Sequence, residues 1–206
     1  MNRELFSEDR APLHHYIPDG KALNPEEEAV RYEKTMQSLP VHLAFLGVGP
    51  NKTCHIGFNG PGTPFSSKTH VVNLDKDTIT ANAPFFDGNK DKVPTQAITQ
   101  GIQTICGQLE NDGVVRGGAD RIIMLITGKH KQDAAKLTLE APIMTKYPST
   151  ALRRHGVWER TTILLDSDAA ETLDPKTLTK SNVHIVVSKN TNIETFATDN
   201  VPLFSS

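Results

Sequence analysis

The stretch VHLAFLGVGP, residues 41–50, decides the fold class, because an almost uninterrupted apolar run ends at a glycine-rich turn. The run is too short for a helix, and such runs are typical of buried strands that lead into loops. The residues before it begin with Asn24 and Pro25, continue with three glutamates and then place apolar residues at helical spacing up to Leu39. A capping side chain, a proline at the first helical position and carboxylates at the positive end of the helix dipole predict an amphipathic helix there.

The same alternation of helix and apolar strand recurs downstream, and it indicates a parallel sheet with helices on its faces. One stretch, THVVNL at 69–74, alternates polar and apolar residues and is predicted to be a strand outside the main sheet. The remaining predictions are buried strands at 121–126, 161–166 and 183–187, a helix opened by Pro94 with Ile98, Gly101, Ile102 and Ile105 on one face, and a helix at 129–141.

The composition excludes several classes of function. Among 206 residues, 22 Lys and Arg balance 24 Asp and Glu, so the net charge of −2 gives no basic face for nucleic acid. Cys54 and Cys106 form no zinc or disulfide pattern, and the histidines show no metal-binding spacing. The polar N-terminus and the lack of a long apolar run argue against a signal peptide and a membrane span. We therefore expect a cytoplasmic protein without a metal.

The loop after the first predicted strand, residues 47–62, contains five glycines in sixteen residues and a histidine, His55. Glycines let the backbone approach a ligand closely, and a histidine titrates near neutral pH, so an acid–base site is one interpretation. The alternative is a surface loop with an incidental histidine. A nucleophilic Cys54 is disfavoured, because neighbouring side chains of an extended segment point in opposite directions.

The loop after the second predicted strand, residues 127–131, joins a strand to a helix and carries Lys129 and Lys131. Backbone N–H groups at a helix start and a lysine ammonium can together hold one phosphate group. The spacing of a nucleoside-triphosphate loop is absent. The alternative interpretation is a solvated basic turn.

Several motifs in order along residues 12–173 resemble the glucosamine-6-phosphate deaminase/isomerase family. They are HIGFN (55–59), PG (61–62), SKT (67–69), Thr78 with ANA (81–83), VP (93–94), AIT (97–99), GI (101–102), TG (127–128) with Lys131, PS (148–149), Leu152, His155 and Asp166.

The resemblance implies a modified Rossmann-like α/β fold, a mainly parallel sheet with helices on both faces. It also implies a reaction in which glucosamine 6-phosphate and water give fructose 6-phosphate and ammonia, without a metal or organic cofactor. His55 would assist ring opening, Lys131 would contact the phosphate, and Gly128 and Asn59 would belong to the substrate-binding residues. The implied ligand is a phosphorylated amino sugar.

The chain departs from the family pattern in ways that bear on activity. The first loop gains two residues, Thr53 stands where an aspartate is expected, and Gly60 replaces a glutamate. Pro84 occupies the position of a substrate-binding arginine in many relatives. The leading βα units of the family, with their phosphate-binding turn and the aspartate that moves the C2 proton, have no counterpart in the sequence.

We therefore expect a partial deaminase domain over 12–188 and a C-terminal tail over 189–206. A sheet without its leading strands exposes an apolar face and an unpaired edge, so a homo-oligomer or a hetero-oligomer is expected to cover it. Besides an enzyme of the family, a non-catalytic sugar-phosphate-binding or partner subunit and a truncated remnant are the alternative interpretations.

Overall fold

The computed structural model describes residues 14–49, 51–189 and 192–195. Within these residues the strands are β1 (Leu43–Gly47), β2 (His70–Asn73), β3 (Gln96–Thr99), β4 (Gln108–Leu109), β5 (Val115–Arg116), β6 (Arg121–Ile126), β7 (Thr161–Leu165), β8 (Val183–Lys189) and β9 (Asn192–Thr195). The α-helices are α1 (Pro25–Gln37), α2 (Lys76–Asn82), α3 (Ile102–Cys106), α4 (Gln132–Glu140), α5 (Ser167–Ala170) and α6 (Pro175–Leu178). None of the helices described is long and apolar enough to cross a membrane.

The main sheet has the strand order β1-β6-β7-β8-β9. The first four strands run parallel, with Leu43 paired to Arg121, and β9 returns antiparallel along β8. The α/β fold with a mainly parallel sheet is therefore confirmed. Helix α1 begins as expected, since the Asn24 side chain accepts a hydrogen bond from the Glu27 N–H at 3.2 Å.

The helix predicted from Pro94 is wrong over its first half. Residues 96–99 form strand β3, which pairs antiparallel with β2 in a separate two-stranded sheet. Helix α3 begins only at Ile102, where Ser67 satisfies the first two N–H groups: its Oγ accepts from Ile102 and its carbonyl oxygen accepts from Gln103. Because this cap comes from a distant loop, the local periodicity did not reveal where the helix starts. The strand predicted at 69–74, outside the main sheet, is confirmed as β2.

The two faces of the main sheet differ in burial. Ile122, Met124 and Ile163 lie on one face and are fully buried in the hydrophobic core. On the opposite face Phe45 is 65% exposed and Leu125 46% exposed. Residues 41–46 were expected to form a buried strand, and the strand is present but not buried. Within the described residues β1 is an edge strand, and about half of its side chains point to the exposed face.

The C-terminal part begins with a hairpin. Lys189, the first residue of the predicted tail, pairs with Asn192 of β9. The rest of that tail, residues 190–191 and 196–206, lies outside the described residues, as do the first two residues of the predicted domain.

A buried carboxylate, Glu33, ties α1 to the two-stranded sheet and to α3. Its Oε2 accepts from the Thr69 N–H at 2.9 Å, from Thr69 Oγ1 at 2.6 Å and from Thr104 Oγ1 at 2.7 Å. Burial by itself raises the pKa of Glu33, but the hydrogen bonds from Thr69, Thr104 and Gln37 outweigh it, so the pKa lies below its usual value. Glu33 is therefore ionised in the folded protein.

Replacing Glu33 with glutamine should lower the free energy of unfolding by about 1–3 kcal/mol at pH 7, because several donors lose a charged acceptor. Since the pKa of Glu33 is lowered on folding, its contribution is present above the unfolded pKa of about 4.3 and is lost as the pH falls through the folded pKa. Urea unfolding of the wild type and Glu33→Gln from pH 7 downward measures both effects. The control Glu26→Gln, at an exposed position of the same helix, should cost about 0.5 kcal/mol; equal losses for the two variants would contradict the prediction.

Candidate active site

The loops that follow β1 and β6 meet at the carboxyl edge of the main sheet, where ligands of parallel sheets collect. Lys131 Nζ donates to the carbonyl oxygen of Val48, just past β1, at 2.7 Å. The N–H of Gly128, just past β6, donates to Asp166 Oδ2, just past β7, at 2.7 Å. Direct hydrogen bonds thus connect the segments that follow the C-terminal ends of three neighbouring strands.

The imidazole of His55 lies directly against the backbone of the first loop. The Gly49 N–H donates to the His55 carbonyl oxygen at 2.8 Å. A Cβ on residue 49 would come within 2.2 Å of His55 Nδ1, so only glycine fits beside the ring. Thr53 Oγ1 lies 3.1 Å from the same Nδ1, within hydrogen-bond distance. The loop therefore fixes His55 through packing and through a hydroxyl.

His55 also forms part of the wall of a cavity of about 190 Å³. The first loop supplies one side of the cavity, including Phe58 and Gly60, and the end of β2 with the start of α2 supplies the other, including Asn73 and Asp75. Whole ligand sites usually measure about 300–1,000 Å³. The cavity is thus large enough for one part of a small ligand next to the imidazole.

Burial and two charges set the protonation of His55. Burial lowers the pKa of the imidazole, Asp75 raises it, and the positive charge of Lys131 lowers it. The net result is a pKa below the usual value, so His55 is neutral at pH 7. A neutral imidazole can accept a proton from a ligand hydroxyl.

In the second loop, Lys131 differs from its basic neighbours in how exposed it is. Lys129 and His130 are exposed, whereas Lys131 is half-buried, and burial lowers the pKa of its ammonium group. Gly128 adopts φ +88°, a backbone conformation that favours glycine. Its N–H is occupied by Asp166, which also accepts from the Ala169 N–H at 2.8 Å and caps α5. The part of Gly128 in substrate binding stays a prediction.

Asn59 lies behind the wall of the first loop and is fully buried. Its Nδ2 donates to the carbonyl oxygen of Ile56 at 2.9 Å and to that of Gln100 at 2.7 Å. These bonds fasten the loop to the segment after β3. Asn59 Oδ1 has no partner among the described residues. The structure thus gives Asn59 a role in holding the loop, and a contact with substrate stays a prediction.

The two cysteines are buried free thiols. Burial raises the pKa of each thiol to about 11, which keeps both protonated at neutral pH. This agrees with the prediction that Cys54 is not a nucleophile. The reason expected for it was wrong, because Cys54 has φ +50° and the segment is not extended there. Across the described ranges, no group of three or more His, Cys, Asp or Glu side chains is placed to hold a metal ion.

The sequence did not reveal that Asp75 lies near His55. A local pattern existed, since aspartate followed by KDT at 76–78 is typical of a helix N-terminus, and Asp75 Oδ1 indeed accepts from the Thr78 N–H at 2.6 Å. The proximity itself is a tertiary contact, since Asp75 follows β2 and lies twenty residues after His55 in the sequence.

Comparison with known proteins gives relatives over most of the chain. A glucosamine-6-phosphate deaminase of Lactobacillus johnsonii is 41% identical over 177 residues, 85% of this chain and 66% of the relative. The glucosamine-6-phosphate deaminase of Oenococcus oeni is 38% identical over 176 residues, 85% of this chain and 67% of the relative. A solved monomeric glucosamine-6-phosphate deaminase superposes with a TM-score of 0.68 at 40% identity, over 80% of this chain and 62% of that one. No family model matches the chain.

These similarities define a protein of the α/β class that shares its fold with sugar-phosphate enzymes. The chain belongs to the glucosamine-6-phosphate deaminase family. It spans less than two thirds of the length of the solved deaminase, 62%.

We expect Gly49→Ala to displace the His55 ring, because the new methyl group and the imidazole cannot share the same space. The cost should be about 1–3 kcal/mol of stability, as for other overpacked sites. The ¹H–¹³C NMR signals of His55 and thermal unfolding measure the two effects. Gly47→Ala is the matched control, since nothing lies within 4 Å of a Cβ there. If both variants left the His55 signals in place, the close packing would be disproved.

Proposed function

We propose that the chain binds a phosphorylated amino sugar at the carboxyl edge of the main sheet, with Lys131 at the phosphate and His55 at the sugar ring. The main support is Lys131, a half-buried lysine whose ammonium lies at the end of β1 and whose charge acts on His55. A solvated basic turn would leave Lys131 as exposed as Lys129. The proposal includes no metal or organic cofactor, as the family resemblance implies, and it includes a cytoplasmic location.

The chemistry proposed for His55 is the opening of the sugar ring. A neutral imidazole accepts the proton of the hydroxyl on C1, the electron pair left on that oxygen forms the carbonyl, and the bond between C1 and the ring oxygen breaks. The imidazolium gives the proton to the ring oxygen, so that no net proton is consumed. The lowered pKa of His55 keeps the imidazole unprotonated at neutral pH, so that it is in the form that can accept this proton. The cavity beside the ring supports the proposal, because it gives the reacting carbon a place next to the imidazole.

We propose that the complete deamination does not proceed in this chain alone. Thr53 contributes a hydroxyl to His55 Nδ1 where the family pattern has a carboxylate, and Gly60 has no side chain to supply the second one. A hydroxyl orients an imidazole but stabilises its protonated form less than a carboxylate does. A non-catalytic subunit that binds a sugar phosphate is therefore the second candidate function.

Lys131→Ala should weaken the binding of glucosamine 6-phosphate about 10- to 100-fold, the usual effect of losing a charge-assisted hydrogen bond. Isothermal titration calorimetry measures this with the whole chain. Lys129→Ala removes the same charge from an exposed position of the same turn and should leave the affinity nearly unchanged.

Equal affinities of the two lysine variants would show that Lys131 does not bind the phosphate. We also expect the wild-type chain to release no ammonia from glucosamine 6-phosphate above background. Ammonia release that His55→Ala abolishes would overturn the proposed lack of deamination and would favour the complete reaction.

We also propose that a second protein chain, a copy of this one or another, covers the exposed face of the main sheet. The support is a group of apolar side chains on that face: Leu43 is 45% exposed, Phe45 65% and Leu125 46%. All three lie on the edge strand β1 or on its neighbour β6. Monomeric proteins seldom leave such a group uncovered.

The purified chain should therefore self-associate or bind a hydrophobic dye, and Phe45→Ser should reduce both effects. Light scattering after size-exclusion chromatography and dye fluorescence measure them. Phe85→Ser is the matched control, since Phe85 is 83% exposed but lies outside the main sheet. A compact monomer that binds no dye would contradict the proposed interface.

A further inference from the structure

Asp75 connects the second wall of the cavity to the start of α2. It is the N-cap residue of the helix, and its Oδ1 accepts from the Thr78 N–H at 2.6 Å. This bond limits the rotation of the carboxylate. Among the described residues that line the cavity with His55, Asp75 is the only one with a carboxylate. The cavity thus has an imidazole on one wall and a negative charge, held by its backbone contact, on the other.

The groups packed around His55 differ in charge. On its own loop, Thr53 contributes a neutral hydroxyl. From the loop after β6, Lys131 contributes a positive charge that disfavours a protonated ring. From the β2–α2 side, Asp75 contributes a negative charge that favours it. Asp75 thus opposes Lys131 in the balance of charges at the imidazole.

We propose that Asp75 is the positioning residue of His55, and that its carboxylate stabilises the imidazolium across the cavity in place of the acidic residues expected at 53 and 60. This inference rests on the proposed role of His55 in ring opening. When a ligand hydroxyl transfers its proton to His55, Asp75 stays ionised and the imidazolium that forms gains an opposite charge nearby. As the C1 carbonyl forms and the bond between C1 and the ring oxygen breaks, the imidazolium gives the proton to the ring oxygen, and both residues regain their starting states.

The position explains how a loop without carboxylates could retain acid–base chemistry. The two expected acidic residues belong to the loop itself, whereas Asp75 lies on a separate segment, between β2 and α2. An interaction across a cavity is weaker than a direct ion pair, because distance and solvent reduce it. We therefore expect Asp75 to raise the pKa of His55, but by less than a carboxylate in direct contact with the ring would raise it.

The test is the titration of His55 in the complete chain without ligand, followed by NMR of the imidazole and assigned with His55→Gln. Asp75→Asn removes the charge but keeps the helix cap, since asparagine caps a helix as well as aspartate does. We expect the midpoint of His55 to move to lower pH in Asp75→Asn. In Lys131→Gln the midpoint should move to higher pH, because a repelling charge is lost.

Asp174→Asn is the matched control. Asp174 is likewise an N-cap aspartate, of α6, and its Oδ1 accepts from the Lys176 N–H at 2.8 Å, but it does not line the cavity. This variant should leave the His55 midpoint unchanged. A loss of helix capping alone would affect the stability of either variant without moving the titration.

An unchanged midpoint in folded Asp75→Asn would overturn the inference. If that variant did not fold, Asp75→Ser would provide the same test with a different neutral cap. The titration needs no ligand, so its result is separate from that of the proposed function. A moved midpoint together with absent sugar-phosphate binding would support the pairing of Asp75 with His55 and reject the ligand.

Discussion

The parallel pairing of β1 with β6 is the constraint on which the site depends. It sets Gly47 beside Leu125, so that both strands end at the same edge and their loops have to share one region. Lys131 then reaches the carbonyl oxygen of Val48, and the first loop folds back so that Gly49 and His55 are in contact. A shift in the register of this strand pair would separate the lysine from the histidine.

The protonation of His55 follows from three opposing influences rather than from one partner. Burial and Lys131 lower the pKa of the imidazole, and Asp75 raises it. The same lysine that is proposed to hold a phosphate thus helps to keep the imidazole neutral while the site is empty. A bound phosphate would offset the positive charge of Lys131, and the imidazole would then become easier to protonate. If Lys131 holds a phosphate as proposed, ligand binding and the protonation of His55 are coupled through the charge of this one side chain.

Local patterns in the sequence correctly predicted those helices and strands whose limits are set by their own residues. The asparagine and proline at 24–25 predicted the start of α1, and the apolar run at 121–126 predicted β6 with its bounds. They were insufficient where a distant residue decided the outcome. Residues 96–99 became a strand because β2 pairs with them, and α3 starts at Ile102 because Ser67 caps it.

The sequence by itself determined the family, the alternation that gives a parallel sheet, and the residue types available at the site, including His55, Lys131 and the threonine at 53. Only the tertiary structure decided which of these meet. Asn59 turned out to hold the loop from behind, and Asp75 came to line the cavity beside His55. The physical reason is that caps and helical periods involve residues a few positions apart, whereas a cavity is formed by segments that strand pairing brings together from distant parts of the chain.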